Sequence, residues 1–265
     1  AAPFDADIQR IRPHDGQIEV AAHMRKLLAG SPIMKSHIGC DKVQDPYSLR
    51  CIPQVHGVAR DSLRQARKVL QVEVNSVTDN PLVFASSAKR GKIVNGGNFH
   101  GEYVGFAMDQ MCIAIAELAS ISEERLAKLV NPALSGLPAF LVEDGGLNSG
   151  LMIVQVAAAS LVSENKILSH PATVDSIPTS ADKEDHVSMG TIAARKVRSV
   201  IENTWNVIAM EFLAASQGLE FRKPLRSSKN IDKVYRQIRK IVPPIHEDRA
   251  FYEDIHAIAE LMRGL

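Results

Sequence analysis

The sequence predicts an all-α fold, and three observations carry that expectation. Aromatic residues make up only 5% of the 265-residue chain, while Ala, Leu, Ile and Val dominate a 45% hydrophobic fraction, the mixture of closely packed helices rather than of a sandwich or barrel. Three long segments, 100–130, 148–168 and 187–217, are apolar nearly all round and so must be surrounded by other elements. Small residues inside or near them (Ala157, Ala158, Ala159, Ala193, Ala194, Ala214, Ala215) allow helix axes to approach closely.

Taken in order, residues 15–28 read as a short, peripheral amphipathic helix ended by Gly30-Ser31-Pro32. Residues 44–53 carry Pro46 and Pro53. The first would break a helix interior and the second disfavours helical geometry at Ile52, which predicts a loop or short turn before a helix. Residues 54–74 alternate apolar and charged positions with a helical period and one wet face. The run 75–81 is dense in turn formers, and 84–93 predicts a surface excursion with at most a short hairpin. Segment 100–130 predicts one helix of about 46 Å, apolar through its middle and charged only near its end. After Gly218 a more basic, amphipathic tail predicts two helices, 229–241 and 247–262, split by Pro243-Pro244. The expected organisation is one domain, with an entry segment carrying an active-site loop (1–53), a long-helix bundle (54–217) and a helical cap (218–265). The three long helices carry more apolar surface than they can bury against each other, so self-association is expected.

With 31 Lys+Arg against 30 Asp+Glu the net charge is +1, so nothing in the bulk electrostatics calls for nucleic acid or an anionic membrane; a small partner is expected. Cys40, Cys51 and Cys112 are odd in number and lack a metal-type spacing, which fits a reducing compartment, and a cytoplasmic protein is expected. No signal-peptide pattern is visible. The apolar stretch 147–161 contains Asn148, Ser149, Gln155 and Ser160 and stops short of the roughly 20 residues that span a bilayer, so no membrane insertion is expected.

Chemistry is concentrated in three stretches, Gln44 to Arg50, Asn98 to Glu102 and Lys183 to His186. Tyr47 and Arg50 are three apart, which on one helical turn sets phenol beside guanidinium, with Gln44 one turn earlier; the alternative is an ordinary surface turn. A guanidinium fork binds carboxylate while Tyr or Glu moves protons, so the set suits an amino-acid-like ligand. Glu184-Asp185-His186 reads by default as an acidic cap on the helix from Val187. His100 with Glu102 suggests a metal pair, but no third ligand follows at a suitable spacing, so no metal is expected. Gly96-Gly97 and Gly145-Gly146 lack the Lys-Ser/Thr ending of a phosphate loop.

Four motifs in order, residues 44–51 (QDPYSLRC), 75–81 (NSVTDNP), 96–102 (GGNFHGE) and 184–189 (EDHVSM), resemble the aromatic amino acid ammonia-lyases, the histidine branch most closely. The resemblance runs over nearly the whole chain but matches only the C-terminal half of that family. It implies a mostly helical long-helix bundle of the fumarase/aspartase-like ammonia-lyase type, a homotetramer with active sites assembled from several subunits. It also implies elimination of ammonia from L-histidine to trans-urocanate, assisted by a self-derived 4-methylidene-imidazol-5-one electrophile. The Ala-Ser-Gly tripeptide that cyclises to that electrophile is absent from this sequence; Ser135-Gly136 and Ser149-Gly150 follow Leu134 and Asn148 and read as turn and helix-start residues. This chain alone is therefore expected to be inactive. By motif, the resemblance implies that Arg50 holds the substrate carboxylate, Tyr47 assists near the electrophile and amine, and Gln44 orders the site. Phe99 packs beside electrophile and substrate, and Glu184 contacts the imidazole or amino group. Asp182-Lys183 stands where the family commonly has Asn-Gln, and Lys183 could pair with Glu184 or Asp185. A tyrosine ammonia-lyase or aminomutase of the same family, or a non-catalytic helical scaffold, are the alternatives.

Overall fold

The computed structural model describes residues 2–40, 44–85 and 90–264. Among them are eleven α-helices: α1 (Ala6–Arg10), α2 (Asp15–Leu28), α3 (Pro32–Ser36), α4 (Tyr47–Arg50), α5 (Ile52–Glu73), α6 (Glu102–Val130), α7 (Pro132–Ser135), α8 (Met152–Leu168), α9 (Gly190–Glu220), α10 (Lys229–Ile241) and α11 (Phe251–Met262). The strands β1 (Leu82–Phe84) and β2 (Lys92–Val94) form an antiparallel hairpin, Leu82 opposite Val94, where a short excursion is predicted. The all-α expectation holds.

The centre is α6 laid along α9, with α5 and α8 against α6 and α8 and α11 against α9. Ala119, Leu126, Val154, Ala158, Val207, Leu213, Ile238 and Ile258 form one buried cluster, in which each fully buried Leu or Ile contributes roughly 1.5–3 kcal/mol. Ile238, Ile245 and Ile258 come from the tail, so the last two helices share the bundle's core. Gln217 stitches them in: its Nε2 donates to the carbonyls of Leu141 and Ile245, and its Oε1 accepts from the Ile245 amide, which satisfies a buried amide completely enough to be harmless. A second, smaller cluster of Phe4, Val20 and Ile52 packs α2 near the start of α5.

Helix starts differ from the predicted ones for local reasons. Helix α5 begins at Ile52, two residues early, because Pro53 falls in the first turn, where the missing N–H costs nothing. Helix α8 begins at Met152 because the amides of Ser149 and Gly150 are taken by the Asp248 carboxylate at 2.8 and 2.7 Å. Helix α9 begins at Gly190, after Met189 in a left-handed conformation (φ 53°), so Glu184-Asp185-His186 lie outside it and do not cap it. Helix α6 bears on two expectations. It is long and apolar enough to cross a membrane by length and composition, and it is not charged only near its end, since Asp109 is buried in its first half. Its burial against α5, α8 and α9 makes it the core helix of the bundle.

Where α6 and α9 start, their backbones nearly touch. A Cβ at Gly105 would lie 3.1 Å from the Gly190 Cα and 3.1 Å from the Ser188 carbonyl oxygen, so glycine is what lets the two segments meet there.

Candidate active site

The predicted pairing of Tyr47 with Arg50 is present. Pro46, extended at φ −62° and ψ 159°, starts the single turn of α4, and the Arg50 guanidinium carbon lies 4.8 Å from the centre of the Tyr47 ring. Tyr47 is 70% exposed, whereas the Arg50 Nε is sealed from solvent with no hydrogen-bond partner among the described residues. A buried charged donor without an acceptor is costly, and it leaves the guanidinium charge uncompensated among the described residues. Gln44 is exposed and precedes α4 in non-helical chain, so it does not share the helical turn that the spacing suggested.

The remaining motifs converge elsewhere. The Asn80 side chain accepts from the Gly96 amide at 2.7 Å and Asn98 donates to the Val77 carbonyl at 3.4 Å, which ties residues 75–81 to the glycine-rich turn before α6. Asn98 and His100 line an open cleft of about 420 Å³ shared with Val69, Val77 and Tyr103. His100 Nε2 meets the His186 carbonyl at 3.0 Å, with the two rings 5.7 Å apart, which sets the Phe99 and Glu184 segments side by side. Phe99 is 57% exposed and Glu184 is exposed. Among the described residues no hydrogen bond, ion pair or ring contact joins this group to Tyr47 and Arg50.

Glu184 sits in a constrained loop. Its backbone pairs with Thr179 in both directions at 3.0 and 3.3 Å, and its carboxylate accepts from the Thr179 hydroxyl. Between them Ser180, Ala181 and Asp182 are all left-handed (φ 50°, 52° and 63°), a conformation costing about 1–2 kcal/mol for each non-glycine residue. Lys183, which could have paired with Glu184 or Asp185, makes no ion pair among the described residues, and the Glu184 carboxylate is met by the Thr179 hydroxyl.

The same convergence supplies the third ligand that sequence spacing did not show. Ligand atoms of His100, Glu102 and His186 lie within 4.8 Å of one another, and the Glu102 Oε2 is buried without a hydrogen-bond partner. A cation with ligands at about 2.1 Å spans at most about 4.2 Å between opposite ligands, so this group would have to tighten to hold one.

The chain matches the aromatic amino acid lyase family over residues 1–240. It belongs to that family. It is 56% identical over 264 residues to a histidine ammonia-lyase of Caenorhabditis elegans, covering 98% of this chain and 39% of that protein. The crystal structure of histidine ammonia-lyase from Trypanosoma cruzi superposes with a TM-score of 0.90 at 48% identity, over 99% of this chain and 49% of that one. Tyrosine aminomutase from Streptomyces globisporus gives a TM-score of 0.88 at 39% identity, over 99% and 53%. The chain thus spans about half the length of these solved relatives and less of the nematode one.

In this member of the lyase family, the charged residues inside the long helices went unread in the sequence. Arg125 of α6 donates to Glu211 of α9 at 2.5 and 2.7 Å, Ser122 donates to the same carboxylate at 2.6 Å, and the other Arg125 nitrogen reaches the Ser48 carbonyl of α4 at 3.5 Å. Asp109 pairs with Lys196 at 3.0 Å and accepts from the Thr173 amide at 2.8 Å, at the head of the loop bearing Glu184. Burial works to raise the Asp109 carboxyl, but the Thr173 amide and Lys196 together hold it below the ordinary carboxylate range. The available signal was a lone Asp in an apolar run.

His56, one turn into α5, has its Nε2 sealed from solvent, and burial first, then the nearby Arg125 charge, lowers its pKa from 6.5 to about 4, against an opposing pull from Glu211. As pH falls, the unfolded chain takes up this proton near 6.5 while the folded chain resists until about 4. Stability from His56 is therefore complete above pH 6.5 and declines between 6.5 and 4, by at most about 3 kcal/mol. Urea titrations should show this loss in the wild type and a shallower one in His56→Gln; parallel pH profiles would contradict it.

Proposed function

We propose that the protein to which this chain belongs eliminates ammonia from L-histidine to give trans-urocanate. The observation that carries this reading is the Arg50–Tyr47 pair: a half-buried guanidinium stacked on a phenol, with no carboxylate paired to it among the described residues. The substrate carboxylate supplies that partner through charge-assisted hydrogen bonds. The names of the relatives support histidine as the amino acid. Glu184, fixed by Thr179, is suited to meet the N–H of an imidazole or the amino group, and Phe99 offers an apolar ring face beside it.

The family electrophile, 4-methylidene-imidazol-5-one, belongs to this reading as a group formed from an Ala-Ser-Gly segment outside the present sequence. It supplies an electron sink that makes the amine a leaving group and the β-proton acidic. The residues present fit such a group, since the exposed faces of Tyr47 and Phe99 leave a phenol and a phenyl ring uncovered for a planar heterocycle. Tyr47 is placed to exchange a proton near the amine, Arg50 to orient the carboxylate, and Gln44 to order the approach by hydrogen bonds.

Assembly as a homotetramer in the cytoplasm completes the proposal. It is supported by exposed apolar side chains on the long helices, among them Tyr103, Phe106, Ile113 and Ile153. The separation of the Arg50 group from the Glu184 group within one chain also supports a site completed by further chain. The test is to size the complete protein by light scattering and assay it with L-histidine and L-tyrosine. An oligomer that develops urocanate absorbance supports the reading; turnover of L-tyrosine alone favours the aminomutase or tyrosine-lyase branch, and no turnover of either favours a scaffold.

A further inference from the structure

Helix α4 is a single turn, not stable by itself, that packs against α5 and α6, and it carries both Tyr47 and Arg50. Four buried polar atoms around it, Ser48 Oγ, Arg50 Nε, Gln54 Oε1 and His56 Nε2, have no hydrogen-bond partners among the described residues. Among the described residues the side-chain contact that reaches α4 from the long helices comes from Arg125, which donates from Nη1 to the Ser48 carbonyl at 3.5 Å. Arg125 cannot drift, because its Nε and Nη2 are clamped by both oxygens of Glu211, and Ser122 fixes that carboxylate from below. Arg125 and Glu211 are only 13% and 20% exposed, so the clamp works in a medium where a charged donor is felt strongly.

We propose that Arg125, held by Glu211 and Ser122, is a positioning residue for the substrate-carboxylate site: it pins the α4 turn through the Ser48 carbonyl and so sets where the Arg50 guanidinium points. This rests on the reading of Arg50 as the carboxylate-binding group. The geometry separates positioning from simple bundle stability. A buried ion pair can be replaced by well-packed apolar side chains with little loss, or even a gain, of stability. The carbonyl of Ser48, in contrast, loses the Arg125 donor whichever apolar residue stands at 125.

The decisive variant is therefore the double replacement Arg125→Met with Glu211→Met in the complete protein, compared with Arg50→Ala. Inhibition constants are measured for urocanate, which carries the carboxylate, and for imidazole, which does not. The double variant is expected to unfold at a denaturant midpoint close to wild type, to weaken urocanate at least tenfold, and to leave imidazole within about twofold. A general loosening of the bundle would weaken both ligands together and would overturn the inference. Wild-type urocanate binding in the double variant, with Arg50→Ala weakened, overturns the positioning role and leaves the Arg50 assignment standing. Unchanged urocanate binding in Arg50→Ala removes that assignment, and the positioning role with it. If the double variant does not fold, Arg125→Lys, which keeps the charge and loses the fork, is read on the same two ligands with the same outcomes.

Discussion

Arg50→Ala in the complete protein is expected to lower kcat/KM for L-histidine by about two to three orders of magnitude, equivalent to roughly 3–4 kcal/mol of lost transition-state binding. The size follows from the surroundings. Arg50 is half-buried and its Nε has no acceptor among the described residues, so a substrate carboxylate would meet a guanidinium that has little else to bond. Tyr47→Phe isolates the other half of the pair, since the ring that stacks under Arg50 remains and only the hydroxyl goes. A loss of about a hundredfold in kcat is expected if the phenol moves a proton. Steady-state kinetics of both variants near wild type would remove this site from the mechanism.

The largest effect on stability is expected at Asp109. Only 3% exposed, it holds Lys196 across the α6–α9 interface and caps the Thr173 amide at the head of the loop that carries Glu184. Asp109→Ala leaves a buried ammonium without its partner and should cost about 3–5 kcal/mol, read as a lower denaturant midpoint. Asp109→Asn keeps an acceptor for Thr173 and should lose less. Equal midpoints for wild type and Asp109→Ala would show that the Lys196 contact with the His170 carbonyl suffices to seat the loop.

Much of this architecture was legible because it depends on local pattern. The long helices follow from apolar runs that only mutual burial can satisfy, and residues 15–28 and 229–241 from an amphipathic period bounded by Pro, Gly and Ser. The Tyr47–Arg50 pairing was legible because it spans a single turn. What was not legible depends on distant chain. The approach of His186 to His100, 86 residues apart, is set by where two helices begin, and the Arg125–Glu211 clamp also spans 86 residues. Helix starts escaped the reading for the same reason: the amides that would begin α8 are claimed by Asp248, about a hundred residues downstream.

The near-contact of Gly105 with Gly190 acts as a fulcrum shared by both arms of the site. Phe99 and His100 hang from one side of it, Glu184 and His186 from the other, and the His100–His186 contact closes the frame above. Parting Phe99 from Glu184 would mean prying apart the heads of the two longest helices, a shear that their packed interface resists. Helix α4, one turn long and exposed on its Tyr47 side, is seated differently, packed against α5 and α6 and met by Arg125 at the Ser48 carbonyl. The two groups therefore stand on different footings: Phe99 and Glu184 shift only with the heads of α6 and α9, whereas the Tyr47–Arg50 turn can shift with α4 alone.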